Sequence, residues 1–282
     1  MAIKIIADST SDIDTEEAKE LGITIIPMTV TFGEEEFLDG EELSHEEFFE
    51  KIQTNPNHPR TSQISPYQFE EAFKKIVDDG DEAIVITLSS KLSGTYQNAV
   101  GCAEKYADKI KVVDSVNASL GEKVLCLHAL DLVKEGKTLL QIEEELNSSK
   151  TKIEHYAIMD NLKFLQKGGR ISALTAFFAS SLHIKPIISL KGGVVSIVSK
   201  ALGMKKAYSL LKGIVEKVGG IDFKRPFTTA FSGLDKSIVE KFISACASLF
   251  ENCKKIPSYC IGPTMGCHIG PGAVGIAFFS KE

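Results

Sequence analysis

Hydroxyl groups gather where a strand hands over to a helix. Residues 83–88 form a short apolar run, Ala-Ile-Val-Ile-Thr-Leu, with the β-branched content of a central parallel strand. Ser89, Ser90, Ser93 and Thr95 follow it, and Gly94 turns the chain into a helix. Hydroxyls beside the free N–H groups of a helix start suit an anion. A second set, Thr61-Ser62-Gln63, lies in a Pro-rich stretch spanning 55–66. Further on, Lys167-Gly168-Gly169-Arg170-Ile171-Ser172 puts a guanidinium behind two glycines, where it could grip an anion bidentately. Gly266-Cys267-His268-Ile269-Gly270-Pro271-Gly272 sets one histidine in a Gly-rich loop, able to donate to an anion or to switch charge near neutral pH.

Each residue also has a plain structural account: Ser93 as a helix N-cap, Thr61 as a loop hydroxyl bonded to its own backbone, Arg170 as a surface group after a helix C-cap. Taken together they are uncharged donors without the lysine of a phosphate loop. Neither Gly-x-x-x-x-Gly-Lys-Ser/Thr nor Gly-x-Gly-x-x-Gly after a strand occurs. Such a set suits a carboxylate or a single phosphate better than a nucleotide. No Gly-x-Ser-x-Gly elbow exposes a nucleophile, and a triad drawn from Ser93, His268 and Asp114 has no motif behind it. Asp8, Asp12 and Asp114 read as turn and cap residues rather than metal ligands. Cys246, Cys253, Cys260 and Cys267 recur every seven residues, but Pro257 interrupts any helix that would carry all four. Without a Cys-x-x-Cys pair, the six cysteines read as free thiols in a reducing compartment and not as a zinc site.

The elements that must position these groups alternate through the first half. Strands are expected at 3–7, 23–27, 28–32, 83–88 and 111–114, and helices at 16–21, 45–52, from 66, 95–106, 119–134 and 139–146. Ser44 and Ser65 are N-caps, the latter with Pro66 at the first helical position. This rhythm implies an α/β domain over residues 1–152, a mostly parallel sheet with helices on both faces. Ligands on such sheets sit beyond the carboxyl ends of the strands, here the loops 8–11, 89–95 and 114–117. From residue 153 a hairpin turn at Lys191-Gly192-Gly193 and longer excursions replace strict alternation. A smaller α+β domain is expected over 153–282, with the ligand between the two. It includes an apolar helix over 172–182, whose Phe177 and Phe178 could serve as core or as a pocket wall.

Composition excludes several classes of partner. With 32 basic and 38 acidic residues the net charge is −6, and no basic block stands out, so nucleic acid is a poor partner. The most apolar stretch, 173–182, is too short and too rich in Ser and Thr to span a bilayer. Stable membrane insertion is not expected, which leaves transient contact open. The start, Met1-Ala2-Ile3-Lys4, runs straight into a strand without a signal peptide, so a cytoplasmic location is expected.

At this point an ordered set of short motifs matches a family. Asp8-Ser9-Thr10-Ser11-Asp12, Thr61-Ser62-Gln63 with Ser65-Pro66, and Leu92-Ser93-Gly94-Thr95-Tyr96 come first. Asp114-Ser115 with Asn117, Gly168-Gly169-Arg170-Ile171 and His268-Ile269-Gly270-Pro271-Gly272 follow. In that order they resemble the DegV family of bacterial fatty-acid-binding proteins, the acyl-carrier subunits of fatty acid kinase, over essentially the whole chain. No position departs from the pattern. The resemblance implies a long-chain fatty acid buried between two domains, its carboxylate held by Thr61 and Ser93, with Ser62, Gly94 and His268 close by. Arg170, with His268, is expected at the phosphate or at the kinase-facing surface. It implies a carrier without catalytic residues, metal or cofactor, acting with a separate ATP-dependent kinase. Two other readings stay open: a small-substrate kinase or phosphotransfer enzyme, and a Ser93-dependent acyl hydrolase.

Overall fold

The computed structural model describes residues 2–170, 183–251 and 253–281. In chain order the first half contains β1 (Ile3–Asp8), α1 (Thr15–Leu21), β2 (Ile23–Ile26), β3 (Thr29–Phe32), β4 (Glu35–Leu38), α2 (His45–Thr54) and β5 (Arg60–Ser62). It continues with α3 (Pro66–Asp78), β6 (Glu82–Thr87), α4 (Thr95–Ala103), β7 (Ile110–Asp114), α5 (Leu120–Lys134) and α6 (Leu139–Ser149). Then come β8 (Ile153–Ile158), α7 (Lys163–Lys167), β9 (Ile184–Ser189), β10 (Ser196–Leu202), α8 (Met204–Lys217), β11 (Phe227–Phe231), α9 (Ser237–Ala245), β12 (Ser258–Cys260), α10 (Pro263–Ile269) and β13 (Val274–Phe279).

Among the described residues the strands form three sheets. The first is parallel, in the order β2-β1-β6-β7. Its strands are apolar on both faces because both are covered. Ile6, Ala83, Val85 and Ile110 pack on Phe69, Phe73 and Ile76 of α3 and on Ala99 and Cys102 of α4. Their neighbours one residue along, Ile5, Ala7, Ile84, Ile86 and Val113, face α5 and α6. That period of two, doubled, is why these strands read as continuous hydrophobic runs. The second sheet, β10-β9-β8-β13-β11-β12, is antiparallel except for the pair β11–β12. Val274, Ile276 and Phe278 of β13 pack under α8 and α9, while Ala277 and Phe279 face α5. A third, small antiparallel sheet has the order β4-β3-β5.

Helix α5 lies between the two large sheets and is buried almost all round, with Glu122 and Lys123 enclosed as well. A helix in that position has no polar face to give away its orientation. Two expectations need correction. The Pro-rich stretch 55–66 is not all loop: Arg60–Ser62 pairs with β3, Val30 opposite Thr61. Three polar residues carry no strand pattern, and only the partner strand makes them one. The Gly-rich segment around His268 is likewise not a loop but the two-turn helix α10, opened by Pro263. Gly266 is there for close approach, since a Cβ on it would lie 2.3 Å from the Phe48 ring. The apolar helix expected over 172–182 lies outside the described residues.

Candidate functional site

The loops at the carboxyl ends of β1, β6 and β7 converge as expected, chiefly on one another. Leu88 N donates to Asp8 Oδ2 (2.8 Å), Ser89 N to the Asn117 carbonyl (2.6 Å) and Ser119 N to the Thr10 carbonyl (2.7 Å). Asp114 accepts from Val116 N (2.8 Å), so it is the turn residue its sequence context suggests. Asp12 goes further: in a left-handed conformation (φ 55°), it accepts from Ser119 Oγ and from Gly262 N, which follows β12. Burial pushes its pKa up to about 7. Ser89 Oγ donates to the Gly193 carbonyl (2.8 Å), tying the β9–β10 turn to the end of β6. Much of the conspicuous hydroxyl run is therefore spent on holding loops together.

One proton has to be assigned inside this network. Thr10 Oγ1 lies 2.5 Å from Asp8 Oδ1 and 2.8 Å from Glu122 Oε2, yet a hydroxyl has a single proton to donate. Burial, then the charge of Asp8, raises the Glu122 pKa well above its ordinary value. Glu122 therefore carries the proton and donates to Thr10, which donates to Asp8.

Beside this network a cavity of about 370 Å³ opens between the loops and the second sheet, within the usual size range of small-molecule sites. Thr61, Ser62, Gln63, Ser93, Gly94, Arg170 and His268 line its polar part. Leu88, Ala118 and Leu120 from one side, with Ala157, Ile188, Leu190, Val195, Ile261, Met265 and Ile269, give it an apolar interior. Thr61, Ser62, Ser93, Gly94, Arg170 and His268 border this one space, whereas Ser89, Ser90, Thr95 and Asp114 do not. Sequence reasoning missed Gln63 as a wall residue, and it missed the interior. The available signal was alternation on β8 and β9: His155 and Ala157, then Ile188 and Leu190, face the cavity, while Tyr156 and Ile187 face α8.

Local geometry explains the arrangement at the polar end. Thr61 sits on β5 and His268 near the end of α10, with Thr61 Oγ1 3.0 Å from His268 Nε2. Ser93 does not cap α4 directly; Gly94 holds that position, and Ser93 Oγ accepts from Thr95 N (3.3 Å) in a short turn. A Cβ on Gly94 would lie 2.3 Å from Gln63 Oε1, so the bare glycine lets that exposed side chain lie against the turn. Gly168 answers a similar need, since its Cβ would lie 2.3 Å from His268 Nδ1. The exposed Arg170 donates from Nη1 to the Gly168 carbonyl (2.7 Å), which holds the guanidinium at the rim.

The charge switch expected of His268 near neutral pH does not hold. Desolvation, then the positive charges of Arg170 and His58, pushes its pKa down to about 4. A neutral imidazole carries one N–H. Nδ1 is buried without a partner, and an orphaned acceptor is tolerated better than an orphaned N–H. The proton therefore sits on Nε2 and points at Thr61 Oγ1, which leaves the Thr61 hydroxyl proton free for a group in the cavity. The Ser93–His268–Asp114 triad is not assembled, because His268 bonds to Thr61 and Asp114 to its own loop.

The profile of the DegV family, described as "uncharacterised protein, DegV family", matches residues 2–281. The chain belongs to the DegV family. A DegV domain-containing protein of Caldanaerobacter subterraneus is 32% identical over 99% of both chains. Two solved structures match over the full length of both chains at 29% identity: a DegV family protein from Thermus thermophilus, described for its fatty acid binding (TM-score 0.85), and DegV of Bacillus subtilis, described as a fatty acid binding protein (TM-score 0.82). The two-part DegV fold and its parallel sheet are thus shared. Among the described residues of this DegV-family chain, no helix is long and apolar enough to cross a membrane, and no group of three or more His, Cys, Asp or Glu could hold a metal ion. All six cysteines are free thiols.

Proposed function

We propose that this chain binds a long-chain fatty acid between domains 1–152 and 153–282 and presents its carboxylate to a separate kinase. The observation that carries this reading is one cavity with an apolar interior and an end built from hydroxyls, an amide and a neutral imidazole, with Arg170 at the rim. A chain of about fifteen methylenes gains on the order of 12 kcal/mol on leaving water. Ordering costs of several kcal/mol leave tight binding. A carboxylate buried without partners would cancel that gain. Thr61 and Ser93 donate to it, His268 orients the Thr61 hydroxyl, and Ser62 and Gly94 complete the pocket around it. Neutral donors suit a head group that must later leave as an acyl phosphate, since a buried cation would hold the product anion too firmly.

In this reading the chain is a carrier. Arg170 stabilises the charge added on phosphorylation, His268 acts only through the Thr61 hydroxyl because its one N–H is engaged there, and the kinase supplies ATP and metal. The full-length likeness to two proteins described as fatty acid binding supports the ligand class. Denaturing mass spectrometry of an organic extract from the purified protein tests it. Stoichiometric long-chain acid is expected, retained less well by the double variant Thr61→Val, Ser93→Ala. A lipid-free protein that takes up no added fatty acid would refute the proposal. Arg170→Ala should leave fatty acid binding nearly intact and slow acyl-phosphate formation by the kinase; an unchanged rate removes Arg170 from the phosphate role.

A further inference from the structure

The apolar part of the cavity is not uniformly apolar. His155 of β8 lines it and is only 5% exposed. Its Nδ1 lies 2.9 Å from Asn117 Oδ1. The identity of that Asn117 atom is settled by a second donor, the Ala118 N–H, which also points at it (3.3 Å). The side chain is also wedged in place, since a Cβ on Gly121 would lie 2.0 Å from the same oxygen. An amide oxygen only accepts, so the ring must donate to it from Nδ1. Burial holds the imidazole neutral, its pKa pushed down to about 4. Nε2 therefore carries a lone pair, and no group among the described residues donates to it.

The position of that lone pair along the cavity follows from topology. β8 runs toward α7, and Gly168, just past α7, packs on His268 at the polar end. His155 lies three residues back along β8 from Ile158, its last residue, which at strand rise is about 10 Å of strand on the side away from α7. A saturated tail would leave this acceptor facing methylenes, at the cost of an unmade hydrogen bond.

We propose that His155 selects for a fatty acid carrying a hydroxyl group on its chain, whose O–H donates to His155 Nε2 while the carboxylate stays at Thr61 and Ser93. This rests on the fatty acid reading and adds to it a second polar contact far from the head group. The chemistry required is a hydrogen-bond donor at one depth along the acyl chain, so only one positional isomer should profit. That class of ligand implies an upstream reaction that hydrates or hydroxylates an acyl chain.

Competition titrations with stearate and a panel of hydroxystearates, substituted at successive positions, test the assignment on the delipidated full-length protein. One isomer is expected to bind about five- to tenfold more tightly than stearate, with its neighbours weaker than stearate. His155→Phe should bring the ratio of isomer to stearate affinity to one, and His155→Gln, which retains an acceptor, should restore part of it. If every isomer binds no better than stearate, as a water molecule held on Nε2 would produce, the proposal is overturned. A preference that survives in His155→Phe overturns it as well. Failure of stearate and all isomers alike would instead overturn the fatty acid reading on which it rests.

Discussion

Replacing Gly168 by Ala isolates what His268 does at the polar end of the cavity. Gly168 has φ −72°, which any residue adopts, so the backbone has no objection to Ala. The objection comes from the imidazole: the new Cβ would lie 2.3 Å from Nδ1, and 3.4 Å is about the shortest ordinary contact. The ring must retreat by about 1 Å, a displacement the 3.0 Å contact with Thr61 Oγ1 cannot absorb in either direction and keep hydrogen-bond geometry. Thr61 then loses the donor that orients its hydroxyl toward the ligand. The loss is about 1.4 kcal/mol, or tenfold in fatty acid affinity. Gly169→Ala is the control. Gly169 has φ +70° with open space where its Cβ would be, so Ala there costs about 1 kcal/mol of stability and leaves affinity alone. Fatty acid titration and urea unfolding of both variants separate the two effects. If Gly168→Ala binds as the parent does, the orienting role of His268 is wrong.

Three further outcomes concern the buried charges. Glu122→Gln imitates the protonated acid and should fold within about 0.5 kcal/mol of the parent near pH 5. The folded-state pKa of Glu122 is raised, so the parent loses stability from this group as pH rises above the unfolded value, and the Gln variant does not. Urea midpoints should therefore favour the variant increasingly toward pH 8; a constant gap would refute the assigned proton. His155 and His268, both at about 4 when folded, contribute stability that is complete above about pH 6.5 and is lost as pH falls toward 4. Asp12, raised to about 7, has the opposite sign, because the folded state keeps a proton that the unfolded chain has released between about pH 4 and 7. Asp12→Asn should therefore lose stability more steeply on acidification than the parent, by up to about 1.4 kcal/mol per pH unit. Parallel curves for the two would show that Asp12 is ionised in the fold.

Local patterns carried most of the elements. Ser44 and Ser65 form capping boxes, Gly22 closes α1 at φ +69°, and Lys191–Gly193 joins β9 to β10, all as their sequences indicate. These features act over a few residues, so the sequence displays them. β5 and α10 were not legible for the opposite reason. Thr61 is on a strand only because Val30 is beside it, and His268 is on a helix that Gly266 presses against Phe48.

The site divides in the same way. The sequence by itself determined which groups exist: neutral hydroxyls without a phosphate-loop lysine, an arginine after two glycines, a lone histidine near the end. It also marked the turn at Ser93-Gly94, where the strand β6 gives way to α4. Tertiary structure decided which of those groups face the cavity and in what state. Ser89 and Asp114 are consumed in loop bonds, Ser93 and Thr61 are left facing the space, and burial beside Arg170 keeps His268 neutral. Desolvation and through-space charge depend on everything packed around a group, including residues two hundred positions away. No local reading of the sequence contains them.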